Sequence, residues 1–378
     1  MALLPETQVP AWPTLIRTLI NGDALSAEQA EWAMNEIMGG EASPAQIAGF
    51  GVALRAKGET LEEMAGLASA MLAHATPISV AGPVTDLVGT GADGAHTVNI
   101  STMATIVAAA CGIRMAKHGN RAASSKCGSA DVLESLGVVI DLPPSATEVL
   151  ATEVGVAFLF APLYHPGFRH TGPVRRDLGV PTAFNFLGPL TNPARPSSLA
   201  VGVADPRMGG VLAGVLAARG NSALVFHGSA ANHGGLDELT TTGPSTVWVV
   251  ADGGVVQTEF DPLSVGLPRA SLVDLRGGDA AHNSGVARAV LSGSPGPVRD
   301  IVLLNAAAAI AASEGLGFVS AAGGSLAGDP QTCVAEGLSK AIAAGIARAA
   351  VAVDSGAARD LLARWGAASH RLAGPGKR

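Results

Sequence analysis

The chain has 378 residues, 48% of them apolar and 15% charged, which provides ample core material and excludes the composition of a disordered chain. Its 48 glycines follow no Gly-X-Y period, so collagen is excluded, and aromatics at 4% are too few for the stacking surfaces of single-strand nucleic-acid binders. A net charge of −7, from 24 basic and 31 acidic residues, argues against nucleic acid or an anionic membrane as partner and leaves room only for a local basic cleft.

The first 75 residues read as short helices without strands. Ser26 with Gln29 and Thr60 with Glu63 have the spacing of capping boxes, and Ser43 precedes a proline at a first helical position. Gly58 is placed to end the helix that starts at Pro44. The apolar faces carry Met34, Ile37, Phe50, Leu54, Met64 and Met71. That is more than three short helices bury among themselves, and it predicts a homodimer that uses some of this surface, or else packing within the one chain. From residue 84 the pattern changes to strands alternating with helices, the signature of a largely parallel sheet. Strands are expected over 85–88, 113–116, 156–160, 199–203 and 223–226, with helices from 102, over 130–136, and from Pro206 to Gly220 behind an Asp205 cap. Residues 246–260 read as a hairpin turning at Asp252-Gly253-Gly254. Ala-rich helices are expected over 297–313 and, unbroken, over 334–365. No apolar run is long enough to span a bilayer. Cys111, Cys127 and Cys333 are far apart and form no Cys-x-x-Cys, which fits a reducing cytosol. No cationic start precedes an apolar run at the N-terminus. The expectation is a soluble cytoplasmic enzyme.

Four segments carry chemistry. Asp86-Leu87-Val88-Gly89-Thr90-Gly91-Ala92-Asp93-Gly94 takes a strand into a glycine loop, and His96-Thr97-Val98-Asn99-Ile100-Ser101-Thr102 then opens a helix. Glycines and a helix N-terminus expose N–H groups to an anion. A glycine turn with an ordinary polar cap fits the same letters. Lys117-His118-Gly119-Asn120-Arg121-Ala122-Ala123-Ser124-Ser125-Lys126-Cys127-Gly128-Ser129 combines cations, hydroxyls and glycines suited to a polyphosphate, or to a solvated basic loop. The stretch from His165 to Arg176 holds arginines that could fork onto a carboxylate or simply lie exposed on a helix, and Asn185–Pro193 follows it. Asp237-Glu238 could share a hard cation, or be solvated surface.

In this order the four segments closely resemble the anthranilate phosphoribosyltransferase family, over nearly the whole chain. The resemblance implies an α/β fold: a small, mostly helical domain (1–80, completed by part of 165–200) and a larger α/β domain (81–378) with a mainly parallel central sheet, the active site lying between them. It implies transfer of the 5-phosphoribosyl group of phosphoribosyl pyrophosphate (PRPP) to the amine of anthranilate, with Mg²⁺, two ions per subunit, in a homodimer. By motif, Gly89, Ala92, Asp93, Thr97, Asn99, Ile100, Ser101 and Thr102 would bind PRPP, as would Lys117, His118, Gly119, Asn120, Arg121, Ala122, Ala123, Ser124, Ser125 and Ser129. Ser101, Asp237 and Glu238 would hold magnesium. Gly89, Asn120 and Arg175 would contact anthranilate, with His118, Pro162 and Phe168 lining its channel. Two positions depart from the family pattern. Ala92 replaces a usual glycine, where a positive φ would be strained, and Cys127 stands where serine is common. The Ser229–Gly234 stretch before the acidic pair is longer than usual for the family.

Overall fold

In the computed structural model, residues 10–122, 125–231, 233–317 and 330–374 are described. The chain begins with helices α1 (Trp12–Ile20), α2 (Ala27–Gly39), α3 (Pro44–Lys57) and α4 (Leu61–Ala73). Ser26, Ser43 and Thr60 cap α2, α3 and α4 through reciprocal bonds with Gln29, Gln46 and Glu63. Gly58 ends α3 at φ 93°. The Glu63 carboxylate also accepts from Leu25 N–H and pairs with Lys57, so a buried charge is paired and hydrogen-bonded.

The alternating part then gives β1 (Thr85–Gly89), α5 (Ile100–Ala110), β2 (Met115–Gly119), α6 (Ser129–Ser135), α7 (Pro144–Glu153) and β3 (Val156–Phe160). Two short helices follow, α8 (Ala161–Tyr164) and α9 (Thr171–Leu178), and then β4 (Ser198–Gly202), α10 (Pro206–Ala218) and β5 (Ser222–Ala230). The sheet closes with β6 (His233–Leu236), β7 (Ser245–Ala251) and β8 (Gly254–Phe260). Its order is β3-β2-β1-β4-β5-β7-β8, with β6 paired to the end of β5. The strands from β3 to β5 are parallel, and β6, β7 and β8 are antiparallel. Asp252 and Gly253 both adopt positive φ, 50° and 74°, as a two-residue hairpin turn matched to strand twist demands. The Ser229–Gly234 stretch is the β5–β6 hairpin rather than a loop, Asn232 lying outside the described residues.

Strands β1 to β5 and β7 are largely buried on both faces, so they read as continuous apolar runs, whereas the edge strand β8 is mostly exposed. Alternate residues divide between two cores. Ala200, Leu224, Phe226, Val247 and Val249 face a cluster built with α5, α6, α7 and the C-terminal helices. Leu199, Val201, Ala223, Val225, Trp248 and Val250 face a cluster that takes in α10 and runs on into α1–α4, Val174, Phe184 and Phe186. Met34, Ile37, Phe50, Leu54, Met64 and Met71 all lie inside this second cluster, each 3% exposed or less. This apolar surface is therefore satisfied within the chain. Ile20 and Val52 remain exposed on α1 and α3, at 71% and 43%.

The C-terminal part holds α11 (Ala280–Leu291), α12 (Pro297–Glu314), α13 (Pro330–Asp354) and α14 (Ala357–Ala373). The single helix expected over 334–365 is thus two, meeting at 68°. The left-handed Gly356, at φ 80°, makes the break. Among the described residues no single helix is long and apolar enough to cross a membrane.

Candidate functional site

Strand order turns back at β1 and β4, which are neighbours although β2 and β3 intervene in the chain. In an open parallel sheet the carboxyl ends diverge at such a point and leave a crevice. Gly89 ends β1 and Gly202 ends β4, and both abut Asp237 just after β6. A Cβ on Gly89 would collide with the Asp237 carboxylate, and one on Gly202 with its main-chain carbonyl. Two glycines are therefore the condition for seating the acidic pair at the head of the sheet.

Gly91 N–H donates to Asp237 Oδ2 at 2.7 Å, and Ser101 N–H at the start of α5 donates to Glu238 Oε1 at 3.2 Å. Lys117, 3% exposed in the middle of β2, donates to Leu87 O at 2.5 Å and Ser101 Oγ at 3.2 Å. Burial raises Glu238 to about 8, against the pull of Lys117. Asp237 is raised well above the usual carboxylate range by burial and by the charges of Asp93 and Glu238. Burial lowers the Lys117 ammonium, opposed by Asp86, Glu238 and Asp237. Acid packed on acid with one buried cation beneath is a place short of positive charge. Among the described residues no group of three or more His, Cys, Asp or Glu side chains could hold a metal by itself. A hard cation at this pair would take its remaining oxygens from water or substrate, as Mg²⁺ commonly does.

The glycine loop is strained where expected. Ala92 has φ 64°, the left-handed region that costs a non-glycine residue roughly 1–2 kcal/mol. Asp93 Oδ1 accepts from Ala95 N–H at 3.0 Å and holds the turn. Residues 96–98 are tied to 275–277 by Val98 N–H to Leu275 O at 2.9 Å and Gly277 N–H to His96 O at 2.8 Å, which places Thr97 opposite Arg276. Beside this corner lies a cavity of about 510 Å³ lined by Lys126, Arg276, Gly277, Gly278, Asp279 and His282. Ile100 is buried, so only its main chain is available, while Thr102 Oγ1 is buried with no hydrogen-bond partner.

The basic loop is pinched at its base by Asp131, whose Oδ2 accepts from Ala122 N–H at 3.0 Å and Gly128 N–H at 2.8 Å. Gly119 at its entrance leaves room for Ser129 Oγ, which donates to Asn120 O at 3.1 Å. The Arg121 guanidinium is committed to Asp131 and Glu134, so Arg121 offers the cleft its main chain. Asn120 and Ser125 are exposed; Ala123 and Ser124 lie outside the described residues.

The residues expected to face anthranilate form a separate group. His118 Nδ1 donates to Gly188 O at 3.1 Å, which leaves Nε2 a bare acceptor, buried and unpartnered. Burial, with His165 5.2 Å away ring to ring, lowers His118 to about 3. His165 itself is lowered by burial to about 4. Arg175 on α9 lies over the Phe168 ring at 5.5 Å, is half-buried, and has no carboxylate partner among the described residues. Pro162 is exposed at the start of α8. No hydrogen bond or ion pair joins Arg175 to the acidic pair among the described residues.

Three supporting residues are assigned no role by the sequence, although Asp86 and Asn192 lie within the segments it singles out. Asp86 is fully buried beneath the cleft and raised by burial to about 6. Asn192 Nδ2 donates to Asp86 Oδ2 at 2.8 Å and to Ala116 O at 2.7 Å, linking β1, β2 and the 185–193 segment. Asn283 is the third.

Residues 13–75 match the helical bundle domain of the glycosyl transferase family, and residues 81–359 match its α/β domain. The chain is 56% identical to the anthranilate phosphoribosyltransferase of Thermobifida fusca over 94% of its length and 95% of the relative's. It is 55% identical to that of Arthrobacter, with the same coverage of both chains. Among solved structures, the anthranilate phosphoribosyltransferase of Thermus thermophilus superposes with a TM-score of 0.81 at 40% identity, covering 94% of this chain and 99% of that one. The Saccharomyces cerevisiae enzyme in complex with PRPP and Mg superposes at 0.79 and 26% identity, covering 95% and 98%.

Proposed function

The chain belongs to the anthranilate phosphoribosyltransferases, and from that premise we propose which of its residues hold each substrate. The enzyme transfers the 5-phosphoribosyl group of PRPP to the amine of anthranilate, releasing pyrophosphate, in the synthesis of tryptophan. The glycine loop from Gly89 to Asp93, the α5 N-terminus and the 117–129 segment take the phosphates of PRPP. Asp237, Glu238 and Ser101 hold Mg²⁺, two ions per subunit. Arg175 forks onto the carboxylate of anthranilate, with His118, Asn120, Pro162 and Phe168 around the ring. The observation that carries this reading is the buried acidic pair, short of positive charge, seated against the glycines of β1 and β4.

In the reaction the amine nitrogen bonds to C1 of the ribose, the C1–oxygen bond to pyrophosphate breaks, and the amine loses a proton. Bound Mg²⁺ supplies positive charge to the leaving oxygens. Main-chain N–H groups of the glycine loop and of α5 hold the phosphates in place as negative charge grows on them. Lys117 keeps the Asp237–Glu238 corner from excess negative charge. The amine is neutral at pH 7, so the protein need only orient it; the proton it loses after attack passes to water or the departing pyrophosphate, and His118 Nε2, held neutral, offers a hydrogen-bond acceptor on that side. The helical residues and part of 165–200 form the small domain, and the enzyme works in the cytoplasm as a homodimer. The direct test mixes protein, PRPP, Mg²⁺ and anthranilate and follows loss of anthranilate fluorescence. No Mg²⁺-dependent turnover would overturn the substrate assignments.

A further inference from the structure

Two of the loops assigned to PRPP are held together by a residue outside every motif. Asn283, one turn into α11, is 2% exposed. Its Oδ1 accepts from Gly278 N–H at 2.8 Å, and its Nδ2 donates to Asn99 Oδ1 at 2.8 Å. That second bond decides which way the Asn99 amide faces. With Oδ1 taken, Asn99 turns Nδ2 to Cys127 O at 3.0 Å, on the basic loop. Asn99 is also the N-cap residue of α5. An asparagine there ordinarily turns its side chain back onto the N–H groups of the first helical turn. Here it makes no such bond. Ile100 N–H goes to Val98 O at 2.7 Å and Ser101 N–H to Glu238, so the diverted cap leaves the Thr102 N–H of the first turn for an outside anion, beside the unpartnered Thr102 Oγ1.

We propose that Asn283 is a positioning residue for PRPP: by holding Asn99 against Cys127, it keeps the Thr102 N–H at the start of α5 open and ties the basic loop to that helix end at Cys127. Asn283 touches no substrate; it acts through Asn99. The inference rests on the assignment of these loops to PRPP. Loss of Asn283 releases Asn99 to cap its own helix, in competition with the phosphate, and frees the basic loop at Cys127.

The test is Asn283→Asp, which preserves shape and the acceptor for Gly278 N–H but removes the donor. The variant sets a carboxylate oxygen against Asn99 Oδ1 and forces that amide to turn. The expected result is a KM for PRPP raised about tenfold or more, with the KM for anthranilate held within about twofold. The rise in melting temperature on adding PRPP shrinks with it, and the ligand-free melting temperature falls somewhat as well, since a carboxylate replaces an amide at a 2% exposed position. Should Asn283→Asp not fold, Asn283→Ser, which retains a shorter donor, is judged by the same split. An unchanged KM for PRPP, or both KM values rising together, overturns the positioning role. A parent protein that turns over no PRPP would instead overturn the PRPP assignment itself.

Discussion

Arg175→Ala separates recognition of a carboxylate from a structural role for that arginine. The guanidinium is half-buried over Phe168 and faces no carboxylate of its own chain among the described residues. Exposed ion pairs are worth about 0–1 kcal/mol, and breaking a fully buried pair costs about 3–5 kcal/mol. A half-buried fork onto a substrate carboxylate falls between, at about 1.4 to 2.7 kcal/mol, or a KM for anthranilate raised about ten- to a hundredfold. The KM for PRPP should move by no more than about threefold, because the phosphates rest on other residues. Arg175→Lys keeps the charge without the fork and should fall between parent and Ala. Since truncation orphans no partner, the stability cost is confined to the Phe168 contact, about 0.5–1 kcal/mol. Steady-state kinetics with each substrate varied in turn, together with thermal melts, decide the matter. Equal losses for both substrates, or a large fall in melting temperature, would refute the carboxylate role.

Gly89→Ala drives a Cβ into the Asp237 carboxylate and should lower kcat/KM for PRPP at least about tenfold, roughly 1.4 kcal/mol; activity equal to the parent's would show that the cleft tolerates Asp237 moving. Gly91→Val meets nothing within 4 Å of its Cβ but forces φ 72° on a β-branched residue, so PRPP affinity measured by calorimetry should weaken through the displaced loop. Replacing Asp237 by Asn and Glu238 by Gln together should raise the Mg²⁺ concentration needed for half-maximal rate, and a titration that overlays the parent's would make the pair mere scaffold. His165, lowered to about 4, binds its proton more readily unfolded than folded, so the stability it confers is present above pH 6.5 and is lost as pH falls toward 4. His165→Gln should therefore lose less stability than the parent between pH 7 and pH 5, by about 2 kcal/mol in chemical denaturation. Parallel losses would show that His165 is not buried neutral.

The readable parts of the chain are those where one local rule decides. The capping boxes at Ser26 and Thr60, the Ser43 cap, the proline at the start of α10 and the Asp252-Gly253 turn stand where their spacing places them, and the reciprocal Gln46 bond at Ser43 is added by the structure. The glycine loop and its left-handed Ala92 were legible for the same reason. β6 was not, because His233-Gly234-Gly235-Leu236 has no strand propensity and pairs only because β5 runs past β4. The break at Gly356 hid in an alanine-rich run, since one glycine inside a helical pattern is tolerated until packing turns the chain. The cover of the apolar helix faces was not legible, because it comes from α10 and 183–190, remote in sequence. Asp86 and Asn192 sat within segments singled out for other residues, and Asn283 sat in none. Single polar residues like these declare themselves only through burial and partners.

The second apolar cluster runs without interruption from Trp12 and Phe50 through α4 and α10 to Val201, Val225 and Trp248 on the sheet. Two glycines of α10 make the joint close: a Cβ at Gly214 would strike Leu61 of α4, and one at Gly209 would strike the Trp248 ring. Melting α1–α4 alone would strip α10, and through it one side of the sheet, of its cover. The helical layer and the sheet therefore unfold in a single cooperative transition, and calorimetry of the whole chain should record one endotherm. The same joint governs recombination between relatives. A chimera that exchanges the first 75 residues keeps its stability only when α10, with Gly209 and Gly214, comes from the same parent as α4.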